Sequence, residues 1–381
     1  MTPKYSDRLL WTAPPNTLSL ALERHRAAGK PILDLTQSNP TTAGIQYPAL
    51  AALLADQRVL QYEPSARGLV SAREAISEYY RERIHPDRIL LTASTSEAYA
   101  YLFKLLCDPG DEILVPRPSY PLFDMLAQLE CVQVKHYSLR YQDGWFVDIP
   151  ALRESITKRT RAIVWVNPNN PTGSYLKDFE YREIAALCAS RGMALISDEV
   201  FSDYEIRSEA HALKTLADQA ECLSFSLSGL SKVCGLPQMK LGWLVASGPG
   251  HELALQRLEW IADTFLSVGM PVQCATAELL AVRNTVQPQI KDRTRANLSY
   301  LRAAIYGSSF RLYRIEGGWY AILQAPRIRS EEAWVLGLLE RGTLVQPGYF
   351  FDFESEAFLV ISLLTEPSLF QQGVAHILDE C

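Results

Sequence analysis

Three things are scarce or missing in this chain of 381 residues, and each closes off a class of function. No apolar run reaches the roughly 18 residues that a bilayer-crossing helix needs. Met1 to Leu20 mixes prolines and polar side chains where a signal peptide would carry an apolar core, so a cytoplasmic protein is expected. Positive charge is not in excess: 37 Lys and Arg against 43 Asp and Glu leave a formal net charge of −6. That balance provides no basic surface for nucleic acid, which is not expected as a partner. Cysteine spacing is uninformative, with seven cysteines scattered from Cys107 to Cys381 and no C-x-x-C pair. They read as reduced thiols filling core space, not as a disulfide framework or zinc site, and no metal is expected. Repeats and low-complexity tracts are also missing. What remains is globular material, 48% hydrophobic and 21% charged, too long for one small core.

One stretch organises the rest. Between Ser224 and Trp243, Lys232 sits on a short polar loop flanked by two apolar strand-like runs. A lysine becomes an imine-forming nucleophile when desolvation and nearby cations lower its pKa. The small neighbours Gly229, Ser231 and Gly235 leave room for a bulky group. Upstream, Thr17 to Ala28 reads as a helix, Ile32 to Leu35 as a strand, and Thr36 to Thr41 as a turn. A loop from Tyr62 through Arg67 to Gly68 feeds a helix on which Ala72, Ala75, Ile76 and Tyr79 recur at helical spacing. After the short strand Ile89–Thr92, the run Ser94-Thr95-Ser96 opens another helix. Small hydroxyl residues there leave backbone N–H groups free to meet an anion, although capping is their everyday use.

The strand Ile113–Val115 ends in Pro116-Arg117-Pro118-Ser119-Tyr120, which presents an aromatic ring at a strand's carboxyl end, where doubly wound sheets bind ligands. Ala162–Val166 is the unbroken apolar run of a parallel strand covered on both faces. It leads into Asn167-Pro-Asn-Asn170-Pro171-Thr172-Gly173 and a helix carrying Tyr181, Ile184, Ala185 and Cys188 on one face. The strand Met193–Ile196 ends beside two carboxylates, Asp198 and Glu199. Beyond Trp243 the pattern is helical over Glu252 to Ala262 and Pro271 to Val282. A long helix from about Gln287, a strand pair over Phe310–Leu323, the helix Glu331–Glu340 and the strand Ala357–Leu364 then make an α+β unit.

In this order, with each candidate at a strand-to-loop junction, the segments resemble the class I and II aminotransferases, pyridoxal 5'-phosphate (PLP) enzymes of fold type I, over roughly residues 17 to 375. The resemblance implies an α/β fold: a large domain, 46–286, with a mostly parallel sheet covered by helices, and a smaller α+β domain from 1–45 and 287–381. It implies a homodimer acting on an amino donor and a 2-oxo acid. Lys232 would hold the cofactor as an imine and later move the proton. Asp198 would keep the pyridine nitrogen protonated, so that the ring can accept electrons. Tyr120 would stack on the ring, and Asn170 would donate to its oxygen and border the substrate. Ser94 (in a glycine's place), Thr95, Ser96 and Lys240 would hold the phosphate, joined by Tyr62 of the other subunit. Ser38 and Asn39 would lie over the substrate.

Four positions depart from the family. Gly229 replaces a serine and Lys240 an arginine in the phosphate clamp, and lysine supplies charge without the planar fork. Phe201 replaces a tyrosine that donates to the ring oxygen. Val360 replaces the arginine that pairs with the substrate's carboxylate. Either Arg67 or Arg117 takes over that task, or the substrate lacks the carboxylate. Other PLP chemistry, β-elimination or decarboxylation, and a non-catalytic PLP-binding protein stay open as alternatives.

Overall fold

The computed structural model describes residues 4–9, 16–209 and 211–380; Cys381 lies outside them. Eight strands form the larger sheet: β1 (Ile89–Thr92), β2 (Glu112–Arg117), β3 (Gln133–Tyr141), β4 (Trp145–Val147), β5 (Thr160–Val166), β6 (Ala194–Asp198), β7 (Ser224–Gly229) and β8 (Gly242–Ser247). Their order is β1-β8-β7-β6-β5-β2-β3-β4. The pairs β3–β2, β2–β5, β5–β6 and β6–β7 are parallel, whereas β8 runs antiparallel to both neighbours and β4 antiparallel to β3.

Burial on both faces explains the apolar runs. Along β5, Val164 and Val166 enter a core shared with the helices Thr95–Leu106 and His251–Asp263. Ile163 and Trp165 point the other way, into a core with the helix Asp178–Arg191. This is the period-2 alternation of a strand with helices on each side. The expected strand and helix around Asn167–Gly173 are therefore present. The β3–β4 pair was not read from the sequence; it lies at the sheet's edge, where only Tyr137 and Leu139 of β3 are buried and its hydrophobic pattern is diluted.

A second sheet holds β9 (Arg311–Leu312), β10 (Tyr320–Gln324), β11 (Gln346–Pro347) and β12 (Phe358–Ser362), all antiparallel, in the order β9-β10-β12-β11. Its core gathers Trp334 and Leu338 of Glu331–Glu340, Phe370 and Val374 of Pro367–Leu378, and Leu298 of the long helix. The N-terminal segment joins this unit, because Leu33–Asp34 pairs in parallel with Thr343–Leu344. Two helix limits differ from expectation. The long helix starts at Arg283 with Pro288 inside it, so the expected division at 286/287 falls within a helix. The expected helix Pro271–Val282 is split into Met270–Cys274 and Thr276–Ala281, and the Thr276 hydroxyl donates to the Val272 and Gln273 carbonyls at the break.

Candidate active site

Strand direction gathers the site. β2, β5, β6 and β7 end at one edge of the sheet, and the end of β1 lies there too, since β1 and β7 both oppose β8. The connections leaving that edge carry Tyr120, Asn170, Asp198, Lys232 and the Ser94–Ser96 run, and all of them line one cavity of about 280 Å³. Ser38, from the N-terminal segment, closes it, as does Tyr320 at the start of β10.

Each position has a local cause. Lys232 lies on a single helical turn, Leu230–Val233, entered from Gly229, and its carbonyl accepts from the Tyr204 hydroxyl at 2.6 Å. Gly229 pairs with Gly242 across β7 and β8. A Cβ on Gly242 would meet Ser94 C at 3.1 Å and Thr95 N at 3.2 Å, so the glycine lets the helix start settle against the strand ends. Gly235 does not line the cavity; its positive φ of 64° and its packing against Tyr47 account for it. The loops after β2 and β5 are tied together by Asn169, whose amide donates to the Pro118 carbonyl at 3.0 Å while its oxygen accepts from Ser119 Oγ at 3.0 Å. That link sets Tyr120 beside Asn170.

Burial tunes the two ionisable groups. Desolvation lowers the Lys232 ammonium to about 8, opposed by the charge of Asp198. Desolvation pushes Asp198 up to about 6, opposed by the Val200 N–H, the Tyr99 hydroxyl and Lys232, so it remains a carboxylate at neutral pH. Tyr99 Oη donates to Asp198 Oδ2 at 3.2 Å and Val200 N to Oδ1 at 3.2 Å. Glu199, the other carboxylate of this pair, turns away and accepts from Thr215 Oγ1, Leu216 N and Ser226 Oγ. The Lys232 amine lies 5.2 Å from the Trp319 ring centroid and 5.7 Å from that of Phe201.

At the anion end, Ser94 Oγ caps the helix by accepting from Glu97 N at 3.2 Å, and Glu97 reaches back to the Ala93 N–H at 2.6 Å. The Ser94 hydroxyl is thus a cap, while Thr95 and Ser96, whose first-turn N–H groups a helix leaves without intrahelical partners, line the cavity.

Five expected residues lie elsewhere. Lys240 is exposed, although its neighbours Leu241 and Gly242 line the cavity. Tyr62 is 83% exposed and borders a different cavity with Pro64 and Met270. Asn39 is occupied in its turn, accepting from Thr41 N and Oγ1. Neither Arg67 nor Arg117, expected at the substrate, lines this cavity of its own chain. Arg67 lines a separate cleft with His85 and Arg88, its carbonyl accepting from Leu91 N. Arg117 follows Ile113 and Val115 in strand alternation, onto the face where its charge acts on His136. Nearby Asp124, His136 and Asp352 bring ligand atoms within 4.8 Å of one another, and the Arg117 charge opposes a cation there. Val360 is fully buried among Ile322, Tyr313 and Phe358.

Sequence reasoning missed Tyr320, Trp319, Tyr99 and Tyr204. The first two lie within Phe310–Leu323, read only as a strand pair; the last two meet their partners across long stretches of chain.

A mostly parallel α/β sheet with a desolvated lysine, a half-buried carboxylate and a helix N-terminus at its strand ends defines a cofactor-binding enzyme fold. The family profile for aminotransferase class I and II matches residues 30–377, and the chain belongs to that family. It is similar to glutamate-pyruvate aminotransferase AlaA of Escherichia coli (strain K12), 30% identical over 263 residues, 66% of this chain and 64% of that protein. It is also similar to alanine aminotransferase of Mycobacterium tuberculosis (strain ATCC 25618 / H37Rv), 28% identical over 274 residues, 69% and 63% of the two chains. The chain thus spans less than two thirds of the length of these curated relatives. Among solved structures, an aminotransferase from Escherichia coli superimposes with a TM-score of 0.86 at 23% identity, covering 100% of this chain and 98% of that one. Alanine aminotransferase from Pyrococcus furiosus gives 0.86 at 23% identity, covering 99% of each chain. The fold is the fold type I architecture.

Members of this family depend on PLP, and the cavity fits that group. Asn170 Oδ1 is buried with no protein partner, the helix start Ser94–Ser96 lines the cavity, and Lys232 has a lowered pKa. The volume is close to the lower bound of small-ligand sites, roughly 300 Å³.

Proposed function

We propose that this protein is a PLP-dependent aminotransferase that moves an amino group from an amino acid or amine to a 2-oxo acid. The observation that carries the reading is the sharing of one cavity by a desolvated lysine, a carboxylate pinned by two donors and a helix N-terminus. Bound PLP supplies an electron sink for the bond that breaks at the substrate's α-carbon. Asp198 sets its charge against the pyridine nitrogen. The N–H groups of Thr95 and Ser96 would take the phosphate, and exposed Lys240, next in sequence to the lining residues Leu241 and Gly242, would reach it only as a point cation. Tyr120 covers the ring and the Asn170 amide meets its oxygen. Lys232 Nζ would hold the cofactor covalently and, as a free amine, would move the proton at the substrate's α-carbon. Tyr204 anchors the backbone from which that side chain swings.

The same reading includes a homodimer in which Tyr62 serves the partner's cofactor; its 83% exposure and its place on a different cavity of its own chain support this. It includes a division into a large unit, 46–286, and a small one from both chain ends, supported by the separate sheets. A cytoplasmic location is part of it, supported by six free thiols among the described residues. The test is spectroscopic. An amino donor should bleach the visible band of the holoenzyme, and a 2-oxo acid should restore it. A lyase or decarboxylase would consume donor with no such cycle, and a binding protein would show no change at all.

A further inference from the structure

This inference rests on the aminotransferase reading and concerns the end of the cavity away from the helix N-terminus. Among the described lining residues the cavity contains one cation, Lys232, and the proposed covalent role occupies it. The phosphate end has helix N–H groups to meet an anion. The other end has nothing of that kind. It is closed by Ser38 and Tyr320, with Phe201 and Trp319 beside the lysine amine.

The strand register explains the missing charge. Val360 on β12 lies opposite Ile322 on β10 and Gln346 on β11, sealed in an apolar cluster. Neither Arg67 nor Arg117 lines the cavity. A carboxylate placed at this end would lose its water and meet no cation among the described lining residues of its own chain, while Asp198 adds a like charge to the same chamber. What this end does offer is neutral hydrogen bonding. The Tyr320 phenol is surrounded by the Ser38 and Trp319 side chains, and burial keeps it un-ionised. The Trp319 indole N–H is buried and meets that phenol in a contact outside full hydrogen-bond geometry. A buried donor so weakly partnered is costly unless a ligand completes it.

We infer that this end is a neutral recognition site in which Tyr320 and Ser38, backed by Trp319, select an amino compound carrying an uncharged hydroxyl or carbonyl group where an α-amino acid carries its carboxylate. Amino alcohols and amino ketones are the substrate class.

The test compares matched donors on the holoenzyme: L-alanine, L-alaninol, L-alaninamide and isopropylamine, followed by bleaching of the cofactor's visible band. L-Alaninol should exceed L-alanine in kcat/KM by about tenfold or more, the scale of one unsatisfied buried polar group. Tyr320→Phe should erase most of the advantage of alaninol over isopropylamine, through KM more than kcat. A preference for alanine overturns the inference, whichever residue or subunit supplies the cation, and so does an equal loss for all donors in Tyr320→Phe. A second arm measures the melting temperature of the holoenzyme with lactate and with 1,2-propanediol. Stabilisation by the diol and not by lactate supports a neutral site, and the reverse overturns it. If no donor is converted, the aminotransferase reading fails, while the melting arm still decides this one.

Discussion

Lys232 and Asp198 occupy the same cavity and are shifted in opposite directions by the same cause, removal from water. An amine attacks an aldehyde only when neutral, so a pKa lowered to about 8 from 10.5 raises its neutral fraction at physiological pH. Capture of PLP by the apoprotein should therefore accelerate with rising pH and reach half its plateau near pH 8, as followed by absorbance. A rate still climbing above pH 10 would show that the lysine is solvated. Lys232→Ala should leave the melting curve of the apoprotein nearly unchanged and abolish both the covalent cofactor and turnover; substantial residual activity would remove the lysine from its role. Asp198→Ala should still bind cofactor and lose several orders of magnitude in rate. Asn170→Ala removes one hydrogen bond, worth about 1–3 kcal/mol, and should cost much less. Equal effects of the two changes would mean that the ring lies the other way round.

At the level of elements, the site depends on how closely the strand ends and the helix start can approach. Gly242 lies between β7 and Ser94–Thr95, and a methyl group there would press on backbone atoms that cannot rotate away. Gly242→Ala should push the Thr95–Leu106 helix off the strand ends, cost about 1–3 kcal/mol in stability and weaken phosphate and PLP binding together. Calorimetric titration with PLP checks it, and an unchanged affinity would show that the helix start is not part of the anion site. Gly229, which departs from the family's serine, has the same cause: a Cβ there would meet Gly242 Cα and the Leu241 carbonyl at 3.0 Å.

For the whole molecule the proposed dimer makes a prediction no single chain can meet. Lys232→Ala and Tyr62→Ala disable different residues, and in a mixed dimer one site would receive a native lysine and a native tyrosine from opposite subunits. Unfolding and refolding the two inactive variants together should restore roughly a quarter of wild-type sites if subunits pair at random. No recovery would mean that Tyr62 acts within its own chain or not at all.

Much was legible without coordinates, because it depends on local order. The apolar run of β5, the Asn167–Gly173 turn and the polar loop at Lys232 each carry their signal within a few neighbouring residues, and backbone sterics and strand alternation are local rules. Together they revealed the sheet, the strand ends and the residues that line one cavity. Contacts between distant segments were not legible. Tyr99 reaches Asp198, Tyr204 holds Lys232, Tyr320 comes from the second sheet to close the chamber, and Trp319 lies beside the lysine amine. The paths of Arg67 and Arg117 likewise followed from the folded chain: one is held by the loop that pairs with Leu91, the other by the face on which its strand places it. A sequence states which charges exist. Where each charge points depends on strand register and packing, which arise only when the whole chain folds.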